Sequence, residues 1–462
     1  MRIELPEKVK RIIAVLQRNG YEAYAVGGCV RDAMLGRKPQ DWDITTSALP
    51  GQVKALFSRT VDTGIQHGTV TVLLDREGFE VTTYRVDGKY KDGRHPSEVS
   101  FTASLTEDLK RRDFTVNAMA YNETDGLVDL FDGAGDLTRG VIRCVGNAVE
   151  RFSEDALRIL RAFRFSAQLD FSIEEETLRA ASELAGSLQK ISAERIYAEL
   201  TKLLVSGHPE RLLDAYRSGI TAVILPELDR MCATPQNHAA HYAGVGVHSL
   251  DVVRFAVRDF PYAGPDGFSA EEFRWLRLAA LFHDIGKPDC RTTDEAGTDH
   301  FHGHALRGAE LVKGVLRRLK ADNATTDTVS RLVRWHDYPF VPEERALRRA
   351  MYKIGVDIFP LLLGLRHADL SAHAEPYRTD GPENLRKVWE AFLAVRSRAE
   401  CVSLKDLAVN GSDLIAAGFQ PGKELGNVLS QLLLLVIEEP GKNTKEELLR
   451  LAREKLGSKG AP

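Results

Sequence analysis

The stretch AVGGCVRDAMLGRKPQDWDIT, residues 25–45, decides the fold of the N-terminal part of the chain. Residues typical of a strand run up to Val26 and stop at the pair Gly27 and Gly28, after which the pattern becomes helical. A strand that turns directly into a helix points backbone N–H groups into the turn. The sequence therefore predicts a turn that can hold a phosphate, although a Gly-Gly pair taken alone is more often a simple tight turn.

Two acidic residues follow this turn. Asp41 and Asp43 lie on a predicted strand, QDWDI, and the alternation of a strand puts both side chains on one face. Adjacent carboxylates repel each other unless a divalent cation neutralises them, and magnesium prefers such oxygen ligands. Glu80 alternates with Thr82 on a neighbouring predicted strand and is a candidate third acid for a two-metal site, which would serve phosphoryl or nucleotidyl transfer. A solvated edge strand is the alternative for the Asp pair.

The segment LKRRDFTVNAMAYN, residues 109–122, supplies the next polar groups. Arg111 and Arg112 are cations suited to a triphosphate. Asp113 and Asn117 are four residues apart, so a helix here would place them on one face. A capped helix would explain Asp113 but would leave Asn117 against an apolar surface.

Composition restricts the function classes. The 462 residues include 62 Lys and Arg and 66 Asp and Glu, for a formal net charge of −4, with 43% hydrophobic and 28% charged residues. These values are typical of a globular protein, and they exclude a protein that coats nucleic acid, since such binding needs many cations. Five scattered cysteines without CxxC spacing indicate a reducing compartment. No apolar run approaches a membrane span, so we expect a cytoplasmic protein.

The pattern of the chain changes near residue 155. Short β-rich runs with glycine turns precede this point, and apolar residues at helical spacing follow it. Breaks rich in Pro, Gly and Asn suggest further boundaries. We therefore predict an α+β fold in four parts: a head with mixed sheet and helices over 1–142, a helical neck over 143–225, a His-rich helical insert over 226–385 and a helical tail over 386–462.

Five motifs between residues 27 and 200 follow one another in order: GGCVRD, DWD, RRDFTVNAMA, SEDALRILRAFRF and SAERIYAEL. This series resembles the bacterial (class II) CCA-adding tRNA nucleotidyltransferases of the DNA polymerase beta superfamily. The resemblance implies a head like that of DNA polymerase beta, followed by an all-α neck, and magnesium bound by Asp41 and Asp43. The residues it implies for the triphosphate are Gly27, Gly28 and Arg31, and those for the phosphates and ribose of the nucleotide are Arg111, Arg112, Asp113 and Asn117.

Asp155 and Arg158 have the role of base recognition in this resemblance. Three residues apart on a predicted helix, they offer an acceptor and a planar donor fork that could match the pairing edge of a base. An isolated Asp-x-x-Arg would instead be an exposed ion pair. The family reads cytosine and adenine with the matching pair, and Arg161 and Arg164 on the same segment complete the predicted nucleotide-binding set. Arg195 belongs to a later motif that supports this helix.

A second constellation lies in the insert. His248, the adjacent His283 and Asp284, and Asp369 come from separate predicted helices and follow the pattern H…HD…D, which resembles the HD phosphohydrolase superfamily. Such mixed ligands suit a divalent transition metal. The alternative is a set of ordinary core or surface histidines, and the HD domain could hydrolyse phosphate esters or only position RNA. The residues that stand where some members place a second metal are His304 and His336.

The leading hypothesis is addition of CCA to the acceptor end of tRNA from CTP and ATP, with magnesium. Residues 85–101 resemble the flexible loop of complete CCA-adding enzymes, and no poly(A) polymerase signature follows the RRD segment. The tail resembles an RNA-binding module with a helix opening at Lys423. The alternatives left open are CC-only or A-only addition, poly(A) synthesis, an HD phosphohydrolase with a non-catalytic RNA-binding head, and a non-catalytic RNA binder.

Overall fold

The computed structural model describes residues 2–87, 99–237, 243–261, 263, 266–374 and 381–457. The chain forms two compact units: the first consists of Met1–Asp229 with Arg318–Lys320, and the second of Arg230–Arg317 with Ala321–Pro462. The first unit begins with a mixed sheet and continues as helices, and the second is almost wholly helical. The predicted α+β fold is confirmed.

The first unit is built around one seven-stranded sheet. Its strands, together with two short pairs outside the sheet, are β1 (Ala23–Val26), β2 (Ile44–Thr46), β3 (Thr60–Gly64), β4 (Thr69–Leu74), β5 (Glu77–Thr83), β6 (Arg85–Asp87), β7 (Val99–Phe101), β8 (Met119–Asn122), β9 (Gly126–Asp129), β10 (Val141–Ile142) and β11 (Ser172–Ile173). The order in the sheet is β3-β4-β5-β2-β1-β8-β9, and only the pair β2 and β5 is parallel.

The centre of the sheet is covered on both faces. All four residues of β1 and all four of β8 are buried, which explains why these strands read as continuous apolar runs instead of alternating ones. Tyr24 and Val26 of β1 pack with Tyr84, Leu109 and Ala120 in one buried cluster. The turn that follows Val26 therefore starts from a rigid part of the core.

Helices complete the first unit. They are α1 (Glu7–Arg18), α2 (Gly28–Met34), α3 (Pro50–Leu56), α4 (Leu105–Lys110), α5 (Gly133–Arg139), α6 (Ala148–Glu154), α7 (Leu157–Leu169), α8 (Glu175–Glu183), α9 (Ala193–Leu204), α10 (Leu212–Arg217), α11 (Thr221–Ile224) and α12 (Pro226–Cys232), the last of which crosses the unit boundary. Most residues of α7 are buried, and α7 packs against α9.

The second unit contains eleven helices in its described part. They are α13 (Val245–Phe255), α14 (Ala270–Phe282), α15 (Lys287–Cys290), α16 (His304–Arg318), α17 (Asn323–Trp335), α18 (Glu344–Ile354), α19 (Phe359–Ser371), α20 (Gly381–Ser397), α21 (Gly411–Ala416), α22 (Lys423–Glu438) and α23 (Lys445–Gly457), with a short hairpin of β12 (Thr292–Thr293) and β13 (Asp299–His300). Helix α22 begins at Lys423 as predicted. No helix in the described ranges is long and apolar enough to cross a membrane, and all five cysteines are free.

The predicted strand through Asp41 and Asp43 is wrong. Strand β2 begins only at Ile44, which lies opposite Ala25 of the antiparallel partner β1. In this register Asp43 lies opposite Val26, the last residue of β1, beyond which the chain turns away at Gly27. The Asp pair therefore lies in the loop that leads into β2, because it has no partner strand to extend the ladder.

The predicted helix through Asp113 and Asn117 is also wrong. The backbone here pairs with a neighbouring segment: the N–H of Thr115 donates to the carbonyl of Arg143, and the N–H of Val145 donates to the carbonyl of Asp113. Only a single 3-10 turn remains, Thr115–Asn117. This turn still brings the side chains of Asp113 and Asn117 into hydrogen-bond contact.

Asp155 and Arg158 do not share one continuous helix. Asp155 ends α6 in an extended conformation, whereas Arg158 lies in the first turn of α7. The carboxylate of Asp155 accepts a hydrogen bond from the N–H of Leu157 over 3.0 Å. The two residues therefore lie at a helix junction that Asp155 itself caps.

The buried face of α1 generates a stability prediction. Leu16 is fully buried on this helix, so Leu16→Ala should lower the free energy of unfolding by about 2–5 kcal/mol through lost burial and the cavity left behind. Urea unfolding followed by circular dichroism would measure this. Arg11→Ala changes an exposed residue of the same helix and should shift stability by less than about 0.5 kcal/mol. An equal loss for both variants would contradict the packing described.

Candidate active site

The Gly-Gly turn lies directly beside the Asp pair. Gly27 has a φ of +83°, in the left-handed region that favours glycine. A Cβ on Gly27 would lie only 2.9 Å from Nη1 of Arg112. The N–H of Val26 donates to the carbonyl of Asp43 over 3.0 Å, and the N–H of Gly27 donates to the carbonyl of Met119 over 3.1 Å. The turn, the Asp pair and Arg112 therefore meet at one end of β1.

The carboxylate of Asp43 lies within the electrostatic influence of Asp41 and Glu80. The pKa of Asp43 is raised, first because the surrounding protein removes water from the carboxyl group and then because Glu80 and Asp41 repel its charge, while Arg112 opposes the shift. Mutually repelling oxygen donors fit a hard divalent cation such as magnesium. Within the described part of the chain, the three carboxylates do not form a group whose ligand atoms all lie within 4.8 Å of one another.

A hydrogen-bonded chain connects the turn to α7. Arg31 Nη1 donates to Asn117 Oδ1 over 2.6 Å, and Asn117 Nδ2 donates to Asp113 Oδ1 over 3.2 Å. Asp113 Oδ2 lies 2.6 Å from Nη2 of Arg161. Burial alone would raise the pKa of Asp113, but Arg161 and Arg158 outweigh burial and lower that pKa to about 2. Asn117, which the sequence left unexplained, thus links Arg31 to a carboxylate that stays ionised.

Asp108 orients the two arginines of the RRD segment. Its side chain is fully buried, with Oδ1 at 2.7 Å from Nη2 of Arg111 and Oδ2 at 3.6 Å from Nη2 of Arg112. The hydroxyl of Thr45 donates to Asp108 Oδ2 over 3.1 Å. Burial opposes ionisation, but the two arginines dominate and lower the pKa of Asp108. Asp108 was not among the predicted site residues, although it precedes the two arginines by three and four residues, a spacing typical of helical ion pairs.

A cleft of about 290 Å³ lies between the RRD segment and the neck helices. Asp155 Oδ2 accepts a hydrogen bond from Arg195 Nη2 over 2.8 Å, and Arg158 Nη1 donates to Glu154 Oε2 over 2.6 Å. These partners hold the two residues predicted for base recognition. The cleft is lined by Leu157, Asp113, Asp155 and the arginines Arg111, Arg112, Arg158, Arg161 and Arg195.

Arg195 supports Asp155 and also lines the cleft, whereas Arg164 does not line it. Arg195 lines the cleft, and its buried Nη1 has no hydrogen-bond partner among the residues that the structure describes. The sequence had indicated only a supporting role for it. Arg164, predicted to bind nucleotide, is buried away from the cleft lining, and its Nε donates to Glu199 Oε2 over 2.5 Å.

In the second unit, the four predicted ligands of the insert lie together and are buried. His248 Nε2 lies 3.1 Å from Asp369 Oδ1. His283 Nε2 lies 3.2 Å from Asp284 Oδ2 and 3.8 Å from Asp369 Oδ1. Residues far apart in the sequence thus form one cluster, which we call the His/Asp centre, and His304 and His336 extend it.

The histidines of this centre are oriented as ligands. His283, His304 and His336 each place Nδ1 within 2.7–2.8 Å of a backbone carbonyl. Because a carbonyl only accepts, Nδ1 carries the proton, and the lone pair of Nε2 faces the centre. The Nε2 atoms of His304 and His336 lie 3.1 Å apart, at 3.4 and 3.7 Å from Asp284 Oδ1. Burial lowers the pKa of His336 to about 3, which keeps its ring neutral.

The donor set fits a divalent transition metal. Three groups in the described part of the chain have all their ligand atoms within 4.8 Å of one another: His248, His283 and Asp284; Asp284, His304 and His336; and His248, Asp369 and His373. The buried Nε2 of His283 has no hydrogen-bond partner in the described ranges. Asp284 belongs to two of these groups and could therefore contribute to either candidate site.

A cavity of about 400 Å³ opens onto the His/Asp centre. Three residues that line it were not among the predicted ligands. Lys287 Nζ lies 2.7 Å from Asp284 Oδ2, Arg366 Nη1 lies 3.1 Å from Asp369 Oδ2, and His373 Nε2 lies 3.5 Å from Asp369 Oδ1. Each is three or four residues from an acidic residue of the centre, a spacing that also occurs in ordinary ion pairs on exposed helices.

The predicted flexible loop is described only at its base. Strands β6 and β7 pair in antiparallel register, and residues 88–98 between them lie outside the described residues.

Family models match three parts of the chain. The Poly A polymerase head domain matches residues 23–143, the probable RNA and SrmB-binding site of polymerase A matches residues 170–232, and the putative tRNA nucleotidyltransferase domain 2 matches residues 305–452. The last match crosses the boundary predicted between residues 385 and 386, so a division finer than the two units stays a prediction.

Relatives match the chain over nearly its whole length. The CCA-adding enzyme of Enterococcus faecalis is 36% identical, over 97% of this chain and 96% of the relative. That of Streptococcus sanguinis is 36% identical, over 98% of this chain and 100% of the relative. A solved structure, the CCA-adding enzyme of Bacillus stearothermophilus in complex with CTP, has 30% identity, a TM-score of 0.71 and 99% coverage of both chains. The chain therefore belongs to the family of bacterial CCA-adding enzymes, which are tRNA nucleotidyltransferases.

Proposed function

We propose that this protein adds CCA to the 3′ end of tRNA from CTP and ATP and releases pyrophosphate. The observation that carries the proposal is the convergence of the Gly-Gly turn, the Asp pair and the arginine-lined cleft within one compact unit. The Bacillus stearothermophilus relative in complex with CTP supports a nucleotide substrate. Since tRNA and nucleoside triphosphates are cytoplasmic, we place the reaction in the cytoplasm.

In this proposal Asp41 and Asp43 hold magnesium, with Glu80 as the third acid. Bound magnesium would offset the repulsion among these carboxylates and stabilise charge on the attacking and leaving oxygens. The tRNA 3′-hydroxyl attacks the α-phosphate of the nucleotide, and pyrophosphate leaves. Arg111 and Arg112, which Asp108 orients, would contact the triphosphate.

Base choice would rest on Asp155 and Arg158. A carboxylate accepts from the exocyclic amino group that cytosine and adenine both carry, and a guanidinium donates to a ring nitrogen or carbonyl. Arg195 holds Asp155, and Glu154 holds Arg158, so the protein sets the orientation of both groups. Selection would then need no nucleic-acid template.

Complete CCA addition is favoured over CC-only addition, A-only addition or poly(A) synthesis. The full-length relatives with 36% identity are CCA-adding enzymes. The hairpin base formed by β6 and β7 is consistent with a full-length loop before the RRD segment.

The central test uses purified protein, magnesium and tRNA that lacks its 3′ CCA. Sequencing of the products should show CC with CTP alone and CCA with both nucleotides. Asp41→Ala should lower the rate by about a hundredfold or more, because the charge developing in transfer loses its stabilisation. Asp75→Asn removes an exposed carboxylate from a turn of the same sheet and should leave the rate unchanged. Products without CMP and AMP would contradict the proposal.

The close approach of Arg112 to Gly27 generates a second prediction. Gly27→Ala should strain the backbone and also displace Arg112, whereas Gly36→Ala, at φ +69° with nothing within 4 Å of its Cβ, only strains the backbone. Both variants should lose about 1–2 kcal/mol of stability. Only Gly27→Ala should raise KM for CTP and ATP. Steady-state kinetics of the two variants would measure these KM values. Equal KM values would contradict the prediction that the contact between position 27 and Arg112 matters for nucleotide binding.

We also propose that the His/Asp centre is an HD-type metal site with phosphohydrolase activity. Two observations support a bound divalent transition metal. The Nε2 atoms of His304 and His336 face each other at 3.1 Å, and the buried Nε2 of His283 faces Asp284 and Asp369 without making a hydrogen bond of normal geometry. Lys287 and Arg366 beside the cavity would attract a phosphate ester. Mixed nitrogen and oxygen ligands are compatible with manganese, iron, cobalt or nickel.

Metal content tests this second proposal. Full-length protein loaded with cobalt and dialysed should retain one to two ions by mass spectrometry. His304→Ala changes a residue that lines the cavity. This variant should retain less cobalt and should no longer hydrolyse p-nitrophenyl phosphate, but it should still add CCA to tRNA. The control is His208→Ala, a half-exposed histidine in the first unit. Equal cobalt in both variants would refute the site, and cobalt binding without hydrolysis would refute only the activity.

A further inference from the structure

We propose that Phe165 is a positioning residue whose ring fixes the arginines around the nucleotide cleft. Three guanidinium groups surround this ring: their Cζ atoms lie 3.9 Å (Arg164), 5.1 Å (Arg31) and 5.3 Å (Arg161) from its centroid. All three distances are within the range of cation–π attraction. The inference rests on the proposed role of Arg31 and Arg161 in nucleotide binding.

The ring is held rigidly. Phe165 is 6% exposed and lies in α7. Phe114, fully buried in the RRD segment, contacts it in an edge-to-face arrangement with centroids 5.8 Å apart and planes at 81°. Phe165 therefore lies where α7 meets the RRD segment, and its position is set by both.

The three cations each have a polar partner away from the ring. Arg31 pairs with Asp32, Arg161 with Asp113 and Arg164 with Glu199. The ring supplies attraction on a further side through its negatively polarised face. Unlike another carboxylate, the ring carries no net charge, so it orients the guanidinium groups without neutralising them.

Two of these arginines connect the ring to the cleft. Arg161 lines the cleft directly. Arg31 reaches it indirectly: Arg31 donates a hydrogen bond to Asn117, and Asn117 donates one to Asp113, which lines the cleft. Weakening the π face of Phe165 should therefore loosen both arginines at once, and the affinity for the nucleotide should fall more than the rate of the chemical step.

The test replaces Phe165 with phenylalanines that carry one, two or three ring fluorines, which weaken the π face at nearly constant shape. We expect KM for CTP and ATP to rise stepwise to about tenfold, with kcat and melting temperature nearly unchanged. Phe165→Leu should give a similar rise in KM with some loss of stability. The matched control is the same fluorinated series and Leu substitution at Phe163, a buried residue of the same helix.

The outcomes separate this inference from the proposed function. Arg161→Ala should raise KM for both nucleotides, and if it does not, the proposed nucleotide site fails. A rise in KM for Arg161→Ala with a flat fluorine series at position 165 would overturn the role of Phe165 alone. A KM rise of the same size at positions 163 and 165 would also overturn it, because the effect would then come from packing.

Discussion

Five arginines line one small cleft in the first unit, and holding these like charges together is the constraint on which the surrounding structure depends. Buried carboxylates offset the repulsion between these arginines: Asp108 forms ion pairs with Arg111 and Arg112, and Asp113 forms one with Arg161. Removing one partner of such a pair leaves an uncompensated charge out of water. The ion pair between Asp113 of the RRD segment and Arg161 of α7 therefore joins the RRD segment to the neck helices.

The residues that the sequence singled out lie close together in the structure, although their local structure was predicted less well. The Asp pair, the RRD segment and Asp155 with Arg158 were all identified, yet the strand and both helices assigned to them were wrong. The reason is that backbone pairing with residues distant in the sequence determines the local structure. The position at which β1 ends leaves Asp41 and Asp43 outside the ladder, and hydrogen bonds to residues 143–145 replace the helix at Asp113. The residue pattern of a segment does not indicate which distant part of the chain its backbone will pair with.

In the His/Asp centre, too, only some of the residues could be predicted from the sequence. Its six candidate ligands could be singled out because their residue types and order are distinctive, and the structure brings them together. Lys287, Arg366 and His373 were not, although each stands one helical turn from an acidic ligand. Arginines and lysines at that spacing are common on solvated faces, so spacing alone could not separate these from ordinary surface ion pairs. Only the position of the cavity does so.

The small net charge of −4 conceals a strongly uneven distribution of charge, with cations gathered in one cleft and ligands for cations in another part of the chain.

The His/Asp centre also has a consequence for folding. Its candidate ligands extend from His248 to Asp369 and come from several helices, so an ion bound there would join distant parts of the folded chain and add its binding free energy to the stability of the folded state. The folding of the second unit would then depend on the supply of metal, whereas ion pairs between protein side chains hold the cleft of the first unit.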